Sequence, residues 1–155
     1  MDRLRRFQSL CGRDRWLVVQ AMVLLPLTAL ALRLVGFQRC KATLCRWVPK
    51  LKAGSADRPD ASIEQARQVA RMVQAASRHG LRRANCLEQS LVLWWMLLRR
   101  GVPAGLRIGV RKAEGCMRAH AWVELGGVVL NDAEDVLQRY APFEQDIVAM
   151  SVEER

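Results

Sequence analysis

Residues 85–101 read NCLEQSLVLWWMLLRRG, and this stretch decides the fold. Asn85 is a strong helix N-cap, and Glu88 stands where a capping-box acid belongs. From Leu87 to Leu98 the run is apolar almost all round. That pattern predicts a central helix buried on every side. Gly101 supplies a stop, with Pro103 beyond it. Trp94 and Trp95 read as core or near-core packing.

Past Pro103 the hydrophobic period falls from 3.6 to 2. Leu106, Ile108 and Val110 alternate with Arg107, Gly109 and Arg111, which reads as a strand. The turn Ala113-Glu114-Gly115 follows, then a second strand AHAWVEL (119–125), a turn at Gly126-Gly127, and a third strand VVLND (128–132). A buried helix followed by an antiparallel meander makes an α+β domain. The tail from Ala133 onward is acidic and partly helical, with Tyr140 and Phe143 as apolar anchors.

Upstream, residues 62–80 read SIEQARQVARMVQAASRHG. Ser62 with Gln65 fits a capping box, and Gly80 fits a helix stop. Ile63, Ala66, Val69, Ala70, Val73 and Ala76 form one apolar stripe. His79 falls in the last turn and reads as a surface or capping histidine. Residues 50–61, KLKAGSADRPDA, read as a linker. The chain thus divides into an apolar and basic helical region (1–49), a linker (50–61) and a main domain (62–155).

The N-terminal stretch WLVVQAMVLLPLTALALRLVGF (16–37) is apolar but interrupted by Gln20, Pro26 and Arg33. It falls short of the ~20 uninterrupted apolar residues a membrane span needs. Two helices are expected, kinked or separated near Pro26. Packing on the main domain or on a partner is favoured over membrane contact, and a cytoplasmic location is expected.

The formal net charge is +10. Such a surplus attracts anionic partners without choosing among them. No zinc finger, homeodomain pattern or aromatic stacking motif accompanies it, which argues against nucleic-acid binding. The five cysteines (11, 40, 45, 86 and 116) are odd in number and irregular in spacing. They fit neither a secreted disulfide framework nor a structural zinc site. Cys40 and Cys45 give only a weak metal signal, and no cofactor is expected.

Cys86 differs from the other thiols because it sits in the first turn of a helix. There the free N–H groups and the helix dipole favour thiolate. The Cys86 N–H is also a candidate oxyanion donor. His120 lies on a strand between two alanines that leave its ring room. Asp132 would hold the imidazole through its other nitrogen. Strand register tests this. A two-residue Gly126-Gly127 loop pairs Leu125 with Val128 and turns Asp132 away from His120. A three-residue loop, Leu125 to Gly127, pairs His120 with Asp132 on one face. That loop, or a bulge of equal effect, is expected; failing both, Asp135 or Asn131 becomes the candidate.

Cysteine at a helix start, then His and Asp on later adjacent strands, resembles the transglutaminase-like (papain-like) cysteine peptidase superfamily. The segments Asn85–Leu91, Arg99–Ala104, Leu106–Val110, Ala119–Glu124 and Asn131-Asp132 resemble, more narrowly, the lasso peptide leader peptidase. The resemblance covers residues 62 to 135. It implies Cys86 as nucleophile, His120 as base and later acid, and Asp132 as orienting residue. It implies removal of a leader from a ribosomally made precursor peptide. A partner cyclase resembling asparagine synthetase then forms the macrolactam with ATP. The residues before the main domain are too few and too apolar for a fused leader-recognition domain, so a separate leader-recognition protein is expected. Two alternatives stand beside this reading. One is a non-catalytic assembly protein that holds a cyclase or membrane partner through its N-terminal helices. The other keeps the triad but passes the acyl group to an amine.

Overall fold

Glycine, not proline, breaks the apolar N-terminal helix. In the computed structural model, which describes residues 11–46, 59–80, 83–113 and 116–142, helix α1 spans Gly12–Arg46. It runs through Pro26 and is interrupted at Gly36, where φ is 77° and ψ is 171°. A positive φ is strained for residues with a Cβ and costs glycine little. Pro26 is exposed, so water can meet the carbonyl its missing N–H leaves unbonded. The expected kink at Pro26 is therefore corrected to a break at Gly36.

Helix α2 spans Pro59–His79, beginning before the expected start at Ser62. A proline in the first turn loses no hydrogen bond, because that N–H has no helical partner. The apolar stripe holds: Ala66, Val69, Ala70, Val73 and Ala76 are all buried. Residues 50–58 of the expected linker (50–61) lie outside the described residues, and 59–61 belong to α2.

Helix α3 spans Cys86–Leu98. Leu91, Leu93, Trp94 and Leu97 are fully excluded from solvent, as an all-round apolar helix requires. It ends in a Schellman pattern. Gly101 has φ 75°, its N–H bonds the Leu98 carbonyl at 3.0 Å, and the Val102 N–H bonds the Leu97 carbonyl at 3.1 Å. The buried indole of Trp94 donates to the Ala104 carbonyl at 3.1 Å, anchoring the exit loop.

The meander follows as β1 (Gly105–Ala113), β2 (Cys116–Leu125) and β3 (Val128–Val129). A short helix α4 (Val136–Arg139) then leads to β4 (Ala141–Pro142). The sheet order is β3-β2-β1-β4, with antiparallel pairing throughout. The acidic tail thus supplies one helical turn, as expected, and an edge strand that was not. Phe143 lies outside the described residues.

The pleat sorts the sheet into two faces. Leu106, Val123 and Leu125 join α1, α2 and α3 in one hydrophobic cluster. Trp122 and Val129 face the other way and form a small second cluster with Val136 and Tyr140. His120 alternates with Ala121 and so lies on the Trp122 face. Gly109, directly opposite His120, makes this face possible. A Cβ there would stand 2.8 Å from the Trp122 ring and 2.9 Å from the Ala141 carbonyl oxygen. Replacing Gly109 with Ala should overpack this face and destabilise the chain by about 1–3 kcal/mol, read as a lowered urea midpoint at unchanged slope.

Candidate active site

The site begins with the cap of α3. Asn85 has φ −77° and ψ 172°, which turns its side chain back over the first helical turn. Its Oδ1 accepts the Glu88 N–H at 2.8 Å, and Glu88 accepts the Asn85 N–H at 3.0 Å. This is the capping box the sequence foretold. Glu88 is only 4% exposed, and its carboxylate is engaged by Asn85, including the amide Nδ2 at 3.2 Å. Cys86 is the first residue of the helix and is a half-buried free thiol. Its position is the one where backbone N–H groups stand unpaired and the dipole favours an anion.

Asp132 reaches the imidazole by a route the sequence reasoning did not foresee. The β2–β3 turn is the two-residue kind: Leu125 pairs with Val128, and Gly126 and Gly127 have φ of 57° and 82°. Both central residues are left-handed, the pattern that matches strand twist in a two-residue hairpin. The expected three-residue loop is therefore corrected. In that register a continuing strand would carry Asp132 to the wrong face. The ladder stops instead. The Leu130 N–H still bonds the Val123 carbonyl at 2.9 Å. The Val123 N–H, however, is taken at 2.8 Å by the side-chain Oδ1 of Asn131. The Asn131 amide donates to Ser90 Oγ at 2.9 Å, and the Ser90 hydroxyl donates to the Ala121 carbonyl at 2.9 Å. A side chain thus replaces the backbone in the ladder, the chain bends, and Asp132 comes round to His120. Asn131 is not the orienting residue itself; it sets the bend.

Asp132 Oδ2 meets His120 Nε2 in a close hydrogen bond. Because Nε2 faces the carboxylate, it carries the proton, and Nδ1 is left as the basic nitrogen. The imidazole is fixed from the side by the Tyr140 ring, with centroids 4.9 Å apart. Partial burial pushes the Asp132 carboxyl up. The His120 imidazole, the Ala133 N–H and the Arg139 guanidinium outweigh it and hold the group below the usual carboxylate range. Arg139 stands 3.3 Å from Asp132 Oδ1, and the guanidiniums of Arg139 and Arg111 both lie over Tyr140. Arg111 pairs across the ladder with Arg118, two positions from the Gly109–His120 pair. The surroundings of His120 are therefore basic.

Cys86 approaches from the helix side. Ser90, one turn after Cys86 on the same helix stripe, bonds at Ala121. Trp94, a further turn on, bonds at Ala104, just before the residue that pairs with Glu124. So α3 runs in the same sense as β2, and its first residue comes to the part of β2 that precedes Ala121. There β2 has no β3 partner, since β3 ends at Val129. His120 and Asp132 are joined on the Trp122 face of the sheet, whereas α3 covers the Val123 face, and no hydrogen bond joins the thiol to the imidazole. A groove of about 410 Å³ opens just before Cys86, lined by Gln74, Ser77, Arg78, Arg83, Ala84 and Gln89.

The other thiols are set apart. Burial pushes the thiols of Cys40 and Cys45 up, for Cys45 against the pull of Lys41. Cys11, just before α1, and Cys116, at the start of β2, are exposed. His79 is exposed at the end of α2. Among the described residues no group of three His, Cys, Asp or Glu is gathered as a metal would need.

An α+β arrangement of helices against a curled antiparallel sheet, with a thiol at a helix start and a His–Asp pair on the sheet, defines a class. A model of the transglutaminase-like superfamily matches residues 24–145. The chain belongs to that superfamily, whose members are often cysteine peptidases or transglutaminases. No curated protein and no solved structure matches it.

Ser90 is the contributor that sequence reasoning passed over, and Tyr140, read there only as an apolar anchor, packs on the imidazole. A serine in an otherwise apolar helix, four residues after the cysteine, was the available signal for the first. Replacing Asn131 with Ala should strand the Val123 N–H and cost about 1–3 kcal/mol, measured by urea unfolding. The depressed Asp132 carboxyl gives a second expectation. Its stabilising effect is present above the ordinary carboxylate value and is lost as pH falls through the lower folded-state value. Asp132→Asn should therefore flatten the fall in Tm of the wild type between about pH 5 and 3; an unchanged acid limb refutes the assignment.

Proposed function

We propose that this chain is a cysteine peptidase that removes the leader from a ribosomally made lasso peptide precursor, acting in the cytoplasm before a partner cyclase closes the macrolactam. One observation carries the reading: the His120–Asp132 pair locked by the Asn131 bend, in a chain whose α3 starts at the capped thiol Cys86. Superfamily membership supports it. So do the motif segments around Cys86, His120 and Asp132.

In this reading His120 Nδ1 takes the Cys86 proton, and the thiolate attacks the carbonyl carbon of the scissile peptide bond. The Cys86 N–H stabilises the oxyanion. The imidazolium then gives its proton to the leaving amine, which frees the core peptide and leaves the leader as a thioester. Water activated by His120 hydrolyses the thioester and restores the thiol. Asp132, ionised at neutral pH, keeps the imidazole in the needed tautomer throughout. Thiol and imidazole are commonly looser in a free enzyme and close up on substrate. The cations Arg111, Arg118 and Arg139 around His120 favour a substrate with acidic residues, presented by a separate leader-recognition protein.

The alternative of a non-catalytic assembly protein draws support from the uncovered outer face of α1. It predicts no selective alkylation of Cys86 near neutral pH. Transfer to an amine instead of water would leave no free carboxylate on the leader. The test is incubation with precursor and leader-recognition protein, read by mass spectrometry. Cys86→Ala should fold as the wild type does, by circular dichroism, and lose cleavage by at least about 10³-fold. Retained cleavage ends the proposal.

A further inference from the structure

Helix α1 has two opposed apolar faces. The inner one, with Val18, Ala21, Leu25 and Ala29, lies in the core. The outer one carries Trp16, Val19, Val23, Leu27, Leu30 and Leu34, each between 42% and 74% exposed. Their spacing of three and four residues keeps all six on one stripe, half a turn round from the buried set. Over residues 16 to 34 the stripe is ~27 Å long. An exposed apolar strip of this length marks a docking surface.

Charge identifies the occupant. Exposed Arg13 precedes the stripe and exposed Arg33 stands in its last turn, with exposed Arg39 and Arg46 beyond the break at Gly36. The single acid of α1, Asp14, is turned to α2, where it accepts from Gln68 at 2.6 Å. The outer face therefore offers cations at both ends and no anion. Two copies packed stripe to stripe would bring arginines against arginines in either orientation, and each chain already carries a formal +10. A span across the bilayer would strip the inner face from its own core.

A second feature adjoins the stripe. Trp16, Val19 and Val23 form one wall of a groove of about 480 Å³, and Trp95, Arg99 and Arg100 of α3 form the other. The Trp95 indole N–H is buried with no hydrogen-bond partner. The Arg99 guanidinium lies 5.1 Å from the centre of the same ring. A cation beside apolar walls suits a phosphodiester above hydrocarbon.

We propose that α1 docks the protein on an anionic phospholipid surface, lying flat. The stripe enters the acyl boundary, Trp16 sits at the interface, and Arg99 receives a headgroup phosphate at the groove. The inference stands apart from the proposed peptidase activity, since it uses none of Cys86, His120 or Asp132.

The test is co-sedimentation of the full chain with phosphatidylglycerol–phosphatidylcholine vesicles and with phosphatidylcholine vesicles, at about 150 mM salt. Binding to the anionic vesicles is expected, at least about tenfold tighter than to the neutral ones. Leu27→Ser with Leu30→Ser should weaken that binding about tenfold or more while leaving circular dichroism and Tm intact. Arg99→Gln should weaken it severalfold. Lipids brominated in the acyl chain should quench the wild-type fluorescence more than that of Trp16→Phe. Three results overturn the proposal: no binding to either vesicle, serine variants that bind as the wild type does, or dimers in light scattering without vesicle binding. The second would leave only diffuse charge attraction, and the third would give the stripe to a second copy.

Discussion

The Asn131 amide is the joint on which the arrangement turns. It fills a vacancy in the β2 ladder by accepting the Val123 N–H, and it holds Ser90 on α3 by donating to the hydroxyl. Three elements meet in that side chain: the buried helix, the central strand and the bend that delivers Asp132. Inside the protein, an unpaired backbone N–H is costly, so the amide is held where it is by the same groups it satisfies. Without it the two-glycine turn would hand the next residues to a regular strand, and His120 would face no carboxylate.

Much of this was legible in the residues. The capping box at Asn85 and Glu88, the all-round apolar α3 and the switch to alternating residues after Pro103 named the elements and their order. These signals are local, and local chemistry enforces them. The pairing of His120 with Asp132 was also expected, but for a different reason from the one the structure provides. Gly126-Gly127 favours the two-residue turn, since both residues tolerate positive φ. The rescue by a side chain depends on Ser90, remote in sequence, and no periodicity reports such a contact. The break at Gly36 was missed likewise: proline advertises its effect on a helix, whereas a glycine discloses its φ only when packing on both sides of it demands a change of direction.

The two sheet faces divide the labour. One is covered by the three long helices and carries the stability of the chain. The other is covered thinly, by α4 and Tyr140, and holds the imidazole. A thin cover leaves His120 accessible to solvent while the Trp122 ring beneath it stays fully buried. Gly109 is the spatial condition for this, since the indole occupies the room a side chain there would need.

Helix α1 puts Leu17, Val18, Ala21 and Leu25 into the same cluster as Leu91, Leu97 and Val123. The superfamily match begins at residue 24, part-way along that helix. A fragment cut at that boundary, or at the end of α1, would bare the back of α3 to water. The thiol-bearing helix owes its seat to α1 as much as to the sheet. The portion bearing Cys86 and His120 is thus not an excisable module, and the N-terminal helix serves as part of its foundation.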